Sequence, residues 1–290
     1  MTSRRFILIL LLLAPCFSPL ISAQENDEMG IWNELGIEKA ITKNWDVGLD
    51  MEYRAQNKAR FSAGIGTSYK VCKYLKFGIN YNFLYSYKPD KFKDKNEGEV
   101  GSEYWEIGYN HTPEHWYPRN RFSAEAIGSI KLWKWLKVSL RERYQLTHSR
   151  ARTVEKLKHR VIYEKKYDFD DDWNEISWYE ETVTDETEPK EYPSYTDQVL
   201  RSRIKLEYDK KRFPFSPFIS AEAHNSVTVG DHMLLQKVRA AIGSSYKFRK
   251  HNEVSLSYII TFNMYDIEDN VVVRQHDKKH AICIGYKYSF

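Results

Sequence analysis

Apolar and polar residues alternate one by one along most of this chain. A period of two places them on opposite faces of β-strands. Trp45, Val47, Leu49, Met51 and Tyr53 share one face, and Asp46, Gly48, Asp50, Glu52 and Arg54 the other. Phe61 to Tyr69 alternate with Ser62 to Lys70 in the same way, Leu75 to Tyr85 with Lys76 to Ser86, and Val254 to Met264 form another apolar face. The polar faces are rich in Gly, Ser and Asn. The segments run about 10–14 residues, where ordinary strands average about 5–6. A soluble sandwich turns large charged residues to water. A strand that crosses an outer membrane needs about 9–11 residues and an apolar outer face. The pattern predicts a transmembrane β-barrel.

Eleven crossings are clear: 30–41, 45–54, 60–70, 75–87, 119–131, 135–148, 196–209, 214–228, 235–249, 253–265 and 278–290. Bacterial single-chain barrels have an even number of strands. The expected fold is therefore all-β, an antiparallel transmembrane β-barrel of about 12 strands, with 10 as the fallback, and long extracellular loops. Tyr104–Thr112 also alternates but lies between an upward and a downward strand, so it fits a hairpin arm in an outer loop. Tight turns fall at Thr42–Asn44, Val71–Tyr74, Leu132–Trp135, Lys210–Phe213 and Arg249–Asn252; the long links are near 88–118, 149–195 and 266–279. Short turns are periplasmic and long loops extracellular in such barrels.

Both ends support this address. In the last strand Ile282, Ile284, Tyr286, Tyr288 and Phe290 share one face against Cys283, Gly285, Lys287 and Ser289. A final strand with an aromatic face and a terminal Phe suits recognition by the barrel-assembly machinery, so Tyr286, Tyr288 and Phe290 are read as the assembly signal. At the other end Arg4 and Arg5 precede an apolar run, Phe6 to Leu13, and small residues lead to Ala23. This is a secretory signal peptide, residues 1–23, leaving a barrel domain of residues 24–290. A lipoprotein reading of Leu13 to Cys16 is weakened by Pro15, and a twin-arginine reading by the need of a barrel to cross the inner membrane unfolded.

Composition changes the picture little. Mean hydropathy is −0.64, which alternating strands produce even in a membrane protein. The 21 Tyr, 14 Phe and 8 Trp suit interfacial girdles. The net charge of +4 is near neutral and gives no reason to expect a nucleic-acid partner. Cys72 reads as a turn residue and Cys283 lies well up the last strand, too far away for a disulfide.

Several segments resemble one family: Ser68-Tyr-Lys-Val-Cys-Lys-Tyr-Leu-Lys-Phe-Gly-Ile-Asn-Tyr-Asn-Phe-Leu-Tyr85, Trp116-Tyr-Pro-Arg-Asn-Arg-Phe122, Ser139-Leu-Arg-Glu-Arg-Tyr144 and Leu200-Arg-Ser-Arg-Ile-Lys-Leu-Glu-Tyr208. Their order is similar to that of the uncharacterised outer-membrane β-barrel proteins of Bacteroidota, a domain-of-unknown-function family. The resemblance implies a barrel in the outer membrane and carries over no catalytic residue.

The candidate chemistry lies on the lumen face. Alternation turns Lys137, Arg141 and Arg143 inward, then Arg201, Arg203, Lys205 and Glu207, then Glu222 and Arg239, with Glu52, Arg54 and Glu125 elsewhere. Two readings follow. One is an ion-pair network that fills a narrow barrel. The other is a narrow pore whose basic excess favours anionic solutes. Glu142 falls on the outer face unless a bulge shifts the register or it lies near the interface. Asp168 to Glu175 lacks the Gly and Glu of a calcium loop at the required places and reads as a solvated tip. Its flanks, 159–166 and 175–184, suit a projecting hairpin with basic and acidic arms. His111 and His115 are four apart, but Pro113 forbids the helix that would align them on a metal. No catalytic residue, metal or cofactor is expected. The chain reads as an outer-membrane barrel of unassigned function, a narrow channel with a basic lumen. The alternative is a closed scaffold or surface-binding barrel acting through the 149–195 loop, and a lipid-modifying enzyme comes third. Its partners are outer-membrane lipids, the assembly machinery and small solutes.

Overall fold

The computed structural model describes residues 27–210, 213–228, 233–268 and 271–290. The expected signal peptide and its expected cut near Ala23 lie outside the described residues, as does the middle of the Lys210–Phe213 turn. Among the described residues fifteen strands run in chain order: β1 (Asp27–Ala40), β2 (Trp45–Ala55), β3 (Arg60–Cys72), β4 (Leu75–Lys88), β5 (Lys91–Asp94), β6 (Tyr104–Thr112), β7 (His115–Leu132), β8 (Leu136–Ser149), β9 (Arg152–Phe169), β10 (Glu175–Tyr192), β11 (Tyr195–Tyr208), β12 (Phe215–Ser226), β13 (Leu234–Phe248), β14 (Asn252–Glu268) and β15 (Val271–Ser289).

Eleven of them close into a barrel in the order β1-β15-β14-β13-β12-β11-β8-β7-β4-β3-β2. These are the eleven alternating segments. The expectation of twelve strands, or ten, is therefore corrected to eleven, and the barrel is not wholly antiparallel. An odd number of up-and-down strands brings the first and last in pointing the same way. β1 and β15 accordingly pair in parallel, from Asp27 opposite Lys278 to Glu38 opposite Ser289. The even-number rule for bacterial barrels does not hold here. Closure leaves no sheet edge on the wall. At the seam the Phe290 amide donates to the Glu38 carbonyl at 3.0 Å, and the Ala40 amide donates to the Phe290 carbonyl at 3.1 Å. The terminal Phe is thus stitched to β1.

The outer wall is apolar. Leu49, Ile65, Ile79, Leu140, Ile219, Ile242 and Leu256 are each more than half exposed. At the tight-turn end, rings follow one another around the rim: Trp133, Trp135, Tyr208, Phe213, Phe215, Tyr246 and Phe248, with neighbouring centroids 4.9–6.0 Å apart. Two of the turns at that rim use left-handed backbone without glycine, at Trp133 and Lys134 (φ 47° and 61°) and at Arg249 and Lys250 (φ 50° and 58°). Hairpin turns favour that hand because it matches strand twist. On the inner wall, a Cβ on Gly64 would meet Asn82 Nδ2 at 1.9 Å, so the bare backbone makes room for the asparagine of β4. Cys72 is exposed and Cys283 is buried beside Trp32, Ile259 and Ala281, and both are free.

The long links carry the hairpin arm and the projecting hairpin expected of them. Tyr104–Thr112 forms β6 and the acidic tip sits on the hairpin β9–β10. These strands join in a separate sheet of order β10-β9-β6-β5. None of the four pairs with a barrel strand. The basic and acidic arms face each other: Lys156 meets Glu188 at 2.5 Å, His159 meets Asp185 at 2.7 Å, and Lys158 also reaches Glu188. The predicted loop at 266–279 is a correction. β14 and β15 continue through it to the pair Glu268–Val271, after a register shift between Asn263 and Tyr265.

Two cysteine pairs test the parallel seam in a Cys72→Ser, Cys283→Ser background. Ile31→Cys with Ile282→Cys, and Ile37→Cys with Tyr288→Cys, are both opposed in the register. Both pairs are expected to cross-link on oxidation of the folded barrel. An antiparallel seam would bring at most one of them together.

Candidate functional site

Period-two alternation decides which side chains enter the lumen, and the register decides which of them meet. Glu222 on β12 is the centre of the inner wall. Its side chain is 5% exposed. Arg141 Nη2, from β8, donates to Glu222 Oε2 at 2.6 Å. Arg201 on β11 donates to Oε1 through Nε at 3.1 Å and also through Nη2. His224 Nε2 meets the same oxygen at 2.7 Å, and Arg239 Nη1 on β13 approaches to 3.8 Å. Four basic side chains from four strands thus converge on one carboxylate. Arg239 also lies over the Trp32 ring at 4.8 Å, and Arg54 over that ring at 3.7 Å, so the knot reaches across to β1 and β2.

The other predicted residues divide. Arg143 donates to Glu125 Oε2 through Nε at 2.7 Å. Lys205 meets Glu207 at 2.6 Å and lies over the Phe218 ring at 4.3 Å. Arg203 stands opposite Glu222 in the register but makes no ion pair among the described residues. Much of the basic excess expected of Arg141, Arg143 and Arg201 is therefore matched by Glu222 and Glu125. Tyr286 and Tyr288 lie on the outer face of β15, and Phe290 closes on β1 as described.

Glu142 keeps strict alternation. The β8 pairings to β7 and β11 run without a register shift, so no bulge turns it inward. On the outer face it accepts a hydrogen bond of 2.6 Å from Ser202 Oγ. His111 Nε2, on β6 of the outer sheet, meets Asp90 at 3.0 Å, and His115 Nδ1, at the start of barrel strand β7, meets the Pro113 carbonyl at 3.1 Å, so the two histidines take separate partners on separate strands. Asp170 at the acidic tip accepts from the Asn174 and Asp172 amides at 2.8 and 3.0 Å, which builds the turn.

Arg60, Arg119, Arg121 and Arg152 are not among the residues singled out from the sequence. Arg119 and Arg121 share the inward parity of Ser123 and Glu125 on β7. The available signal was that parity, which continues outward to His115, beyond the predicted start of the strand.

A closed barrel with an apolar outer wall and a charged lumen defines the class. The family described as "Protein of unknown function (DUF2490)" matches residues 29–271, and the chain belongs to that family. No curated protein matches it. Among solved structures, the chain is similar to the CymD monoaromatic hydrocarbon channel, with 10% identity, a TM-score of 0.40 and coverage of 83% of this chain and 85% of that one. It is also similar to the translocator domain of the autotransporter NalP from Neisseria meningitidis, with 9% identity, a TM-score of 0.29 and coverage of 89% and 88%.

Glu222→Gln tests the knot. It leaves Arg141, Arg201 and Arg239 in the wall with no counter-charge, and removing one partner of a buried ion pair costs about 3–5 kcal/mol. A clear drop in the urea midpoint of the folded barrel is expected. An unchanged midpoint would mean that Glu222 does not hold the wall together.

Proposed function

We propose that this chain is an integral outer-membrane protein of a Gram-negative bacterium, of the Bacteroidota kind its strand motifs resemble. In this reading it is exported by its signal peptide, assembled through its C-terminal strand, and passes small anionic solutes through a narrow lumen. The observation that carries the reading is the inversion of the wall, with exposed aliphatic residues outside and buried Arg141, Glu222 and His224 inside. A soluble barrel would do the reverse. The aromatic rim at the tight-turn end supports a membrane girdle. A groove of about 400 Å³ on the outer wall, over Ala221 and Ala240 between Ile204, Ile219, Ile242 and Tyr258, offers an acyl chain an apolar seat. Eleven strands lie between the roughly eight of a filled barrel and the 16–18 of a wide channel. A lumen lined by arginine favours anions.

A second reading has its own support. The Glu222 knot fills part of the lumen, and the four-stranded outer sheet offers a surface. A closed barrel would act through 149–195. No catalytic role is proposed for any residue.

Conductance of the refolded barrel in a planar bilayer under a salt gradient separates the two. Discrete steps with a roughly several-fold anion preference are expected from the arginine excess. Silence from demonstrably folded protein sinks the channel and favours the closed barrel. In that case deleting 150–194 should abolish surface binding and leave the barrel folded.

A further inference from the structure

On the long-loop side of the Glu222 knot the charge balance changes. Arg54 and Arg60 stand opposite each other on β2 and β3. They share one carboxylate, Glu52, at 2.7 and 2.6 Å. From β7, Arg119 and Arg121 enter the same space, and neither meets a carboxylate among the described residues. Arg119 Nη2 donates to Ser86 Oγ at 2.6 Å, and Arg121 Nε to Thr147 Oγ1 at 3.1 Å. Ser86 is itself the residue opposite Arg60 in the β3–β4 register, so Arg60 and Arg119 are neighbours. The charges acting most on Arg121 all belong to other guanidiniums, those of Arg60, Arg119, Arg201 and Arg54.

The donors are also unspent. Arg60 Nε and Arg119 Nε are buried with no hydrogen-bond partner. Arg152, nearer the mouth, rests on the Tyr117 ring at 3.9 Å, and its Nε and Nη1 likewise have none. Asp197 faces the lumen across Thr147 and adds one negative charge at this level. Among the described residues, the five guanidiniums of Arg54, Arg60, Arg119, Arg121 and Arg152 have Glu52, Asp197 and, opposite Glu52 on β1, Glu34 as their neighbouring carboxylates. Like charges confined in a lumen repel, and buried donors without partners are costly. Both costs are removed by one kind of guest. Guanidinium forks bind phosphate and carboxylate oxygens through paired, charge-assisted hydrogen bonds.

We infer that the outer half of the lumen is a binding site for a multivalent oxyanion, a phosphate or a polycarboxylate, held by Arg60, Arg119 and Arg121 with Arg152 at the entrance. The inference deepens the anion-channel reading by naming the solute class, and it rests on that reading's basic lumen but not on conduction. It moves the selective residues from Arg141, Arg143 and Arg201, which are matched by carboxylates, to a group that is not.

Calorimetric titration of the folded full-length barrel in zwitterionic detergent tests it. Inorganic phosphate and citrate are the two probes, with chloride at equal ionic strength as the control. Saturable binding of phosphate, citrate or both is expected, and the stronger probe identifies the source. Arg119→Gln with Arg121→Gln should weaken binding by about tenfold or more, the loss expected for hydrogen bonds to charged groups. Arg121→Gln alone should weaken it less, and it serves if the double variant does not fold. Binding no stronger than chloride, or unchanged in the variants, overturns the site. Binding with a silent bilayer keeps the site and sinks conduction. Conduction without binding does the opposite.

Discussion

The hydrogen-bond ladder must close on itself, and the rest of the molecule follows from that constraint. An open sheet of this size would leave two long rows of unpaired amides and carbonyls, which an apolar surround cannot satisfy. With eleven strands the only closure available is a parallel seam between β1 and β15. The seam fixes the direction of β1. The register it sets also fixes which inward side chains stand beside one another, bringing Trp32 of β1 beneath the arginines of β2 and β13.

The lumen then divides into two electrostatic regimes. Around Glu222 the positive charges are drawn onto one carboxylate, and the group acts as internal packing. Toward the long-loop end the arginines lean on hydroxyls and aromatic faces instead, with Arg119 on Ser86, Arg121 on Thr147 and Arg152 on Tyr117. Neutral partners orient a guanidinium without cancelling its charge. The first regime contributes rigidity, and the second keeps its field available.

Most of this fold was legible in the alternation. All eleven crossings were marked by the period of two, and of the residues read as inward Arg141, Arg201 and Arg239 gather on Glu222 while Arg143 meets Glu125. Strand number failed because a general rule about parity overrode the count. The 266–279 stretch failed because its acidic and Asn residues look like a loop, while in the structure backbone pairing carries two strands past the apolar belt. Site chemistry was harder for a different reason. Parity tells that Arg141 and Arg201 point inward. That they meet one carboxylate on β12 depends on β8 lying beside β11, across a long excursion in sequence. Arg119 and Arg121 lie within the predicted crossing 119–131, but alternation alone does not show that their partners are the hydroxyls of Ser86 on β4 and Thr147 on β8 rather than carboxylates.

The outer sheet stands on the barrel without pairing with any strand of its wall. Its ion pairs, such as Lys156 with Glu188, are internal to it. A substitution there alters the face shown to the surroundings without disturbing the register below. The sheet can therefore be recast in sequence while the hydrogen-bond ladder that closes the barrel stays the same.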